Sequence, residues 1–328
     1  MKVQTLRRYR LLHLLCILAV VLIASVAYAD ETTVVMKTYT YKTVGDLDIQ
    51  ADVYRSNDST LRPVVISIHG GALIFGHREW IDARLKELLL DAGYIIVSID
   101  YRLAPETLLP GIIEDIEDAF AWVRTQGPGL FHADTSKIAV IGSSAGGCLT
   151  LASGYRVKPR PDVLVSLFGY GDLIGDWYST PSPHKRHQGV EMSADEAKAV
   201  MRGPAVADSR KREGDGRDFY IHCRQKGIWP KAVTGWDPRK EAEKFYPYMT
   251  LKNIDGNYPP AFLIHGTEDT DVPYEMSALM AQELKANDVE YRFFTIEGGE
   301  HGLKGGDPEQ IEAAYQAAFS FIEKHMQK

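Results

Sequence analysis

Ser144 lies in a local pattern that can turn a hydroxyl group into a nucleophile. Residues 142–147 read Gly-Ser-Ser-Ala-Gly-Gly, and they follow an apolar run at 138–141 that predicts a strand. A helical segment comes next, so the G-x-S-x-G pattern has the strand–turn–helix context that presents such a serine on a sharp turn. Ser144 is therefore the predicted nucleophile, at the carboxyl end of a sheet, where open α/β folds bind ligands.

A serine hydroxyl needs a base to remove its proton, and that base is usually a histidine held by a carboxylate. His301 lies late in the chain in a glycine-flanked loop, before the last predicted helix. Glu268, Asp269 and Asp271 follow a predicted strand at 261–265, and the order serine, acid, histidine is that of serine hydrolases of this pattern. The chemistry alone leaves the choice among these three acids open.

A tetrahedral intermediate also needs hydrogen-bond donors for its negatively charged oxygen. Residues 69–72 read His-Gly-Gly-Ala and come directly after a predicted strand at 64–69. Their backbone N–H groups, together with that of Ala145, are predicted to form an oxyanion hole, because the glycines let the loop approach the substrate closely. Each such donor typically lowers the barrier by about 2.7–4 kcal/mol.

The surrounding elements predict a doubly wound, mostly parallel α/β sheet. Short apolar runs, typical of strands covered on both faces, alternate with helical patterns. An alternating pair around Gly45 and Asp46 predicts an edge hairpin. The predicted strands are 34–41, 47–54, 64–69, 94–100, 138–141, 163–167, 261–265 and 291–295, and the clearest predicted helices are 112–125 and 308–328. Helical spacing predicts a buried stripe on each of these helices, formed by Ile112, Ile116, Ala119, Phe120 and Val123 in the first and by Ala313, Ala317 and Phe321 in the second.

One long segment, about 171–257, interrupts this alternation. It is rich in charged residues, glycine and proline, and it carries several tryptophans and tyrosines. Connections of this length without a function are uncommon. We therefore predict an inserted lid whose aromatic side chains form a wall over a pocket.

These motifs together resemble the hormone-sensitive-lipase-like carboxylesterases and their feruloyl-esterase-like relatives. The resemblance runs from about residue 52 to the C-terminus, without the lid, and includes the segment Asp-Tyr-Arg-Leu-Ala-Pro-Glu at 100–106. It implies an α/β-hydrolase fold with helices on both faces and a carboxylesterase activity. It also implies the triad Ser144, Asp269 and His301, with the aspartate selected by its place three residues after the His-Gly pair.

The resemblance further implies Gly71, Ala72 and Ala145 as the oxyanion donors. Two positions depart from the family pattern, which often has a third glycine at Ala72 and an acidic residue at Ser143. An alanine N–H still donates a hydrogen bond, so the first departure is compatible with catalysis. The second alters the hydrogen bonding behind the nucleophile.

The N-terminus predicts export. Basic residues precede an apolar run at 11–26 and a small-residue cleavage site, so residues 1–29 are predicted to be a signal peptide and residues 30–328 one hydrolase domain with the lid. The protein is then secreted or periplasmic, without stable membrane association after cleavage; retention as a membrane anchor is the alternative. Cys148 and Cys223 remain after cleavage, and their pairing is left open.

The composition and the histidine spacing limit the classes of molecule that the protein is expected to bind. The chain of 328 residues has a net charge of -7 and no long basic run, which argues against nucleic acid. His184 and His187 lack an evident third ligand, so no metal and no organic cofactor is expected. The expected substrate is a small-molecule or carbohydrate-linked ester, and the oligomeric state stays open. A prolyl-oligopeptidase-like peptidase and a non-catalytic binding protein are the competing interpretations.

Overall fold

The computed structural model describes residues 33–189, 191–201, 203–214 and 216–327, and the predicted signal peptide lies outside them. Within these ranges, strands and helices alternate as the sequence predicts. The strands are β1 (Val34–Val44), β2 (Leu47–Ser56), β3 (Arg62–Ile68), β4 (Ile95–Ile99), β5 (Ala133–Ser143), β6 (Val163–Leu167), β7 (Ala261–Gly266) and β8 (Tyr291–Ile296).

The helices of the described residues fall between these strands and after the last one. They are α1 (Ala83–Asp91), α2 (Leu109–Phe131), α3 (Ala145–Arg156), α4 (Asp176–Ser179), α5 (Ala194–Val200), α6 (Gly216–Lys226), α7 (Trp229–Thr234), α8 (Ala242–Phe245), α9 (Glu275–Ala286) and α10 (Pro308–Met326). Short 3-10 turns occupy Lys185–His187, Ser209–Lys211, Tyr246–Tyr248 and Thr250–Lys252. None of the helices in the described ranges is long and apolar enough to cross a bilayer.

The eight strands of the described residues form one sheet in the order β1-β2-β4-β3-β5-β6-β7-β8. β1 pairs with β2, and β2 with β4, in antiparallel fashion, whereas the pairs from β4 onward are parallel. The predicted edge hairpin and the mostly parallel sheet are both confirmed. Because parallel strands point the same way, the loops after β3, β5, β7 and β8 meet at one edge of the sheet.

Helices cover both faces of this sheet. On one face, α2 and α3 bury residues such as Ile116, Phe120 and Leu149 against the sheet. On the other face, α1 and α10 do the same with residues such as Leu85 and Phe321. The two apolar layers explain why the central strands are apolar along their whole length.

Helix α2 extends farther than the predicted 112–125. It continues through Pro128 and ends at Phe131, followed by His132 in the left-handed conformation. Phe131 is fully buried, and its ring lies 5.4 Å from that of Trp122. Tertiary burial of this ring stabilises a last turn that local glycine and proline preferences disfavour.

The segment between β6 and β7 contains α4 to α8 and packs on the loop that follows β3. The indole Nε1 of Trp229 donates to the Ala72 carbonyl at 2.9 Å, and Leu103 N donates to Val206 O at 2.9 Å. Arg212 forms a buried ion pair with Glu106 at 2.7 Å. The segment predicted as a lid is thus joined to the core by buried polar contacts.

Candidate active site

The turn between β5 and α3 holds Ser144 in a strained conformation. Its φ and ψ are 55° and -121°, and its N–H donates to the Leu167 carbonyl at 2.9 Å. A Cβ on Gly146 would collide with the Ile68 carbonyl oxygen, so α3 can approach β3 only with glycine at this position. Strain of this kind is sustained by surrounding structure and is common at functional sites.

His301 lies between the serine and an aspartate. Its Nε2 is 3.1 Å from Ser144 Oγ, and its Nδ1 is 2.7 Å from Asp269 Oδ2. The ring of Phe168 packs edge-on against the imidazole, with 4.9 Å between centroids. The three residues predicted from the motifs therefore meet at one edge of the sheet in hydrogen-bonding order.

The surroundings of Asp269 keep its carboxylate ionised. Burial alone would raise its pKa, but hydrogen bonds from His265 and His301 outweigh that effect and lower the pKa to about 2. The other oxygen, Oδ1, accepts from Asp271 N at 2.8 Å and from Val272 N at 2.9 Å. These backbone bonds direct Oδ2 toward the imidazole.

The other two acids are placed differently. Glu268 is exposed and makes no contact with His301 among the interactions of the described residues. Asp271 lies on the opposite side of the imidazole, with its Oδ2 3.7 Å from His301 Nε2. Of the three acids that the sequence left open on chemical grounds, only Asp269 accepts the Nδ1 proton.

The predicted oxyanion donors lie in the two loops beside Ser144. Gly71 and Ala72 line the same cavity as Ser144, and Ala145 begins α3. Within the described part of the chain, the N–H groups of these three residues donate to no other protein group. They are therefore available to an oxyanion bound at Ser144.

The loop that carries Gly71 and Ala72 is tightly wound. Gly71 has φ of 109° and Ala72 of 55°, and the Gly71 carbonyl accepts from Phe75 N at 2.9 Å. A side chain on Gly71 would collide with the Phe75 carbonyl oxygen. Ala72 thus adopts the left-handed conformation that glycine usually supplies, held there in part by the bond from Trp229.

The Asp-Tyr-Arg segment at 100–102 packs against the start of this loop. The Tyr101 hydroxyl donates to the His69 carbonyl at 3.0 Å, and its ring stacks on the His69 imidazole at 4.3 Å. Burial lowers the pKa of His69 to about 4. Arg102 pairs with Asp115 at 2.7 Å, which places it in the scaffold and outside the cavity.

A cavity of about 370 Å³ opens over Ser144 and His301. Part of its wall is aromatic and comes from Phe75, Trp80 and Phe168. Another part is mostly polar and comes mainly from the predicted lid: Arg186, His187, Arg217, Tyr220, Ile221 and, from the loop after β7, Asp271. Sequence reasoning missed Arg186, His187 and Arg217 as parts of the site, because nothing in their local pattern indicates that they converge.

The structure also places His187 and the two cysteines that the sequence analysis considered. His187, considered with His184 as a ligand pair, bonds instead with Ser182 Oγ at 2.7 Å and with Asp271 at 3.0 Å. Cys148 and Cys223 are free and buried, and burial raises the pKa of both thiols. The two cysteines therefore form no disulfide in this structure.

Comparison with known proteins identifies a family. The family profile described as alpha/beta hydrolase fold matches residues 65–304. An alpha/beta hydrolase superfamily protein from Enterococcus faecalis superposes with a TM-score of 0.68 at 21% identity, covering 88% of this chain and 99% of that one. An acetyl ester-xyloside bifunctional hydrolase from Caldicellulosiruptor lactoaceticus gives 0.64 at 19% identity, with 88% and 96% covered.

A curated relative is much longer. The non-reducing polyketide synthase adrD of Penicillium rubens is 27% identical in an alignment of 345 positions, and the alignment covers 88% of this chain but 14% of the synthase. The chain therefore spans about one seventh of that protein's length, and the match concerns one part of it.

Proposed function

The chain belongs to the α/β-hydrolase fold family, and from that premise we propose that it is a secreted serine carboxylesterase acting on small-molecule or carbohydrate-linked esters. The observation that carries this proposal is the hydrogen-bonded series Ser144, His301, Asp269, with distances of 3.1 and 2.7 Å. A nucleophile, its base and the group that orients the base are the parts that acyl transfer requires.

In the proposed reaction, Ser144 Oγ attacks the ester carbonyl while His301 Nε2 takes its proton. The carbonyl oxygen becomes an oxyanion bound by the N–H groups of Gly71, Ala72 and Ala145. Collapse of this intermediate expels the alcohol, which receives the proton from His301, and leaves an acyl-serine. A water molecule then repeats the sequence, which releases the carboxylic acid and restores the serine hydroxyl.

The charged form of His301 is stabilised at each proton transfer. Asp269 is ionised far below neutral pH, so it holds the imidazole in the tautomer that accepts a proton at Nε2. The backbone N–H groups of Gly71, Ala72 and Ala145 are already positioned in the folded loops, and preorganised donors of this kind are usually the largest source of oxyanion stabilisation.

The cavity and the structural neighbours support the substrate class. A polar wall beside an aromatic one suits an ester with a hydrophilic alcohol part. One similar structure is a carbohydrate esterase from gut microbiota, at 19% identity and a TM-score of 0.63, and another acts as an acetyl ester-xyloside hydrolase. The predicted signal peptide would deliver the enzyme to compartments where such esters occur.

The test compares wild type with Ser144→Ala on p-nitrophenyl acetate, butyrate and octanoate at pH 8. We expect hydrolysis by wild type and a loss of about 10⁴-fold or more in kcat for the variant. A fluorophosphonate probe should label wild type at Ser144 and leave Ser144→Ala unlabelled by mass spectrometry. Wild type that cleaves none of these esters, or a variant that keeps its rate, would contradict the proposal.

The same preparation tests export and the peptidase alternative. Expression of the full chain in a bacterial host should give an exported protein whose N-terminus, by Edman sequencing, is Asp30. A p-nitroanilide peptide included in the assay should remain uncut. Cleavage of the amide in preference to the esters would favour the peptidase instead.

A further inference from the structure

Asp271 is an ionised carboxylate on the wall of the cavity. One of its oxygens, Oδ1, accepts from the Tyr220 hydroxyl, from His187 Nε2 at 3.0 Å and from Arg224 Nη1 at 3.2 Å. Burial would raise its pKa, but hydrogen bonding to His187 and the nearby charges of His301, Arg186 and Arg224 hold the pKa well below its usual range. The hydrogen-bonding capacity of Oδ1 is thus used within the protein.

The other oxygen, Oδ2, is in a different position. Oδ2 forms an ion pair with Arg186 Nη2 at 3.3 Å and lies 3.7 Å from His301 Nε2. The Asp271 side chain is 12% exposed and borders the cavity with Ser144. An ionised, mostly buried carboxylate oxygen with a single ion-pair partner keeps the capacity to accept a further hydrogen bond, so a donor from a bound molecule would stabilise it.

The reaction places a substrate atom close to this oxygen. The departing alcohol oxygen must come within about 2.6–3.2 Å of His301 Nε2 to receive its proton. A hydroxyl on the carbon next to the one that carries the ester oxygen lies about one hydrogen-bond length from the ester oxygen. Rotation about the bond between the two carbons can place this hydroxyl on the side of Asp271 or on the opposite side. On the side of Asp271, this second hydroxyl can donate to Oδ2 and accept from the Arg186 guanidinium.

We propose that Asp271 is a specificity-determining residue that binds a hydroxyl group next to the ester oxygen, so the preferred substrates are monoesters of vicinal polyols, sugars included. This inference rests on the proposed esterase function and specifies its alcohol part. A site built to accept a hydrogen bond from a substrate hydroxyl discriminates strongly against an analogue without it, because its own polar group is then left unpaired.

Arg186 positions the Asp271 carboxylate relative to His301. Its Nη1 bonds to Glu300 at 2.7 Å, and the same glutamate accepts from His301 N at 2.7 Å. The guanidinium therefore bridges the loop of the catalytic histidine and the Asp271 carboxylate. This arrangement positions a donor and an acceptor side by side, which is the combination that one hydroxyl group uses.

The test uses two esters that differ in one donor. 2-Hydroxyethyl acetate and 2-methoxyethyl acetate carry the same electron-withdrawing oxygen, but only the first has an O–H group to donate. We expect kcat/KM of wild type to favour the hydroxyl ester by about tenfold to a hundredfold, the range for a hydrogen bond to a charged group. Glycerol 1-monoacetate should behave like the hydroxyl ester.

Asp271→Asn is the decisive variant. The amide oxygen can replace Oδ1 and accept from Tyr220, His187 and Arg224, since an amide nitrogen there would face three donors. The amide nitrogen then takes the place of Oδ2 and no longer accepts. We expect the preference to fall to within about threefold, with the larger loss on the hydroxyl ester.

Tyr220→Phe is the matched control, because it removes a donor to Oδ1 and leaves Oδ2 unchanged. It should alter both esters by a similar factor and keep their ratio. Equal wild-type rates on the two esters, or a preference that survives in Asp271→Asn, would overturn the inference while the esterase proposal stands. Wild type inactive on both esters, and on p-nitrophenyl acetate, would overturn the two together.

Discussion

Replacement of Asp269 by asparagine tests whether this acid, and not Glu268 or Asp271, orients the His301 imidazole. Oδ1 of Asp269 accepts from the N–H groups of Asp271 and Val272 at 2.8 and 2.9 Å, so the amide oxygen of an asparagine must take that side. Its NH₂ group then faces His301 Nδ1, which now has to act as an acceptor. The imidazole is driven to the tautomer protonated at Nε2, which cannot accept the Ser144 proton.

The expected loss in kcat is about 10⁴-fold, as for a triad whose geometry is kept while its tautomer is wrong. At 1.36 kcal/mol for each factor of ten, this corresponds to about 5 kcal/mol of barrier. A second effect concerns stability, because His265 Nε2 lies 3.2 Å from Asp269 Oδ2 and would also face the new NH₂ group. We expect a decrease in unfolding free energy of about 1–3 kcal/mol from this unfavourable pairing.

The assay is kcat and KM for p-nitrophenyl acetate at pH 8, with urea unfolding of each variant. Glu268→Gln is the matched control, since Glu268 is exposed and immediately precedes Asp269. It should remain within about twofold of wild type, as expected for a surface change. Asp269→Asn that retains more than a tenth of the wild-type kcat, or Glu268→Gln that loses as much, would refute this assignment.

Three further predictions concern the surroundings of the site. Trp229→Phe removes the 2.9 Å bond to the Ala72 carbonyl, so urea unfolding should show a loss of about 1–3 kcal/mol, and an unchanged midpoint would contradict this. Because the pKa of Asp269 is lowered to about 2, its ionisation stabilises the fold above pH 4, and that contribution is lost as the pH falls toward 2. Wild type should therefore lose about 2 kcal/mol more than Asp269→Asn between pH 4 and 2, measured by urea unfolding at each pH, and parallel losses would argue against it. Cys148 and Cys223 are buried, so in the native protein of residues 30–328 Ellman's reagent should react with neither, and in guanidinium with both; fast native reaction would be inconsistent with their burial.

The helices show where sequence periodicity is sufficient and where it is ambiguous. The predicted stripe of α2 is buried as expected, including Ile112, Ile116 and Phe120. In α10 the predicted stripe of Ala313, Ala317 and Phe321 was wrong at its start, because Ala313 is exposed. The buried face instead carries Ile311, Ala314, Tyr315 and Ala318, and alanines at similar spacing on two adjacent faces do not distinguish them.

The sequence by itself determined the features that depend on neighbours along the chain. Strand–turn–helix patterning placed Ser144 on its turn, and the glycines of 69–72 and 297–302 indicated loops at the same sheet edge. Such features are local, since a turn or a buried strand is specified by a few consecutive residues.

Only the tertiary structure decided which groups meet across the site. Asp269 and Asp271 are two residues apart, yet one approaches Nδ1 of the His301 imidazole and the other approaches Nε2. Arg186, Tyr220 and Arg224 reach Asp271 from a segment without regular alternation, and no local pattern indicates that approach. Contacts between distant segments depend on the packing of the whole chain, which a single sequence does not display residue by residue.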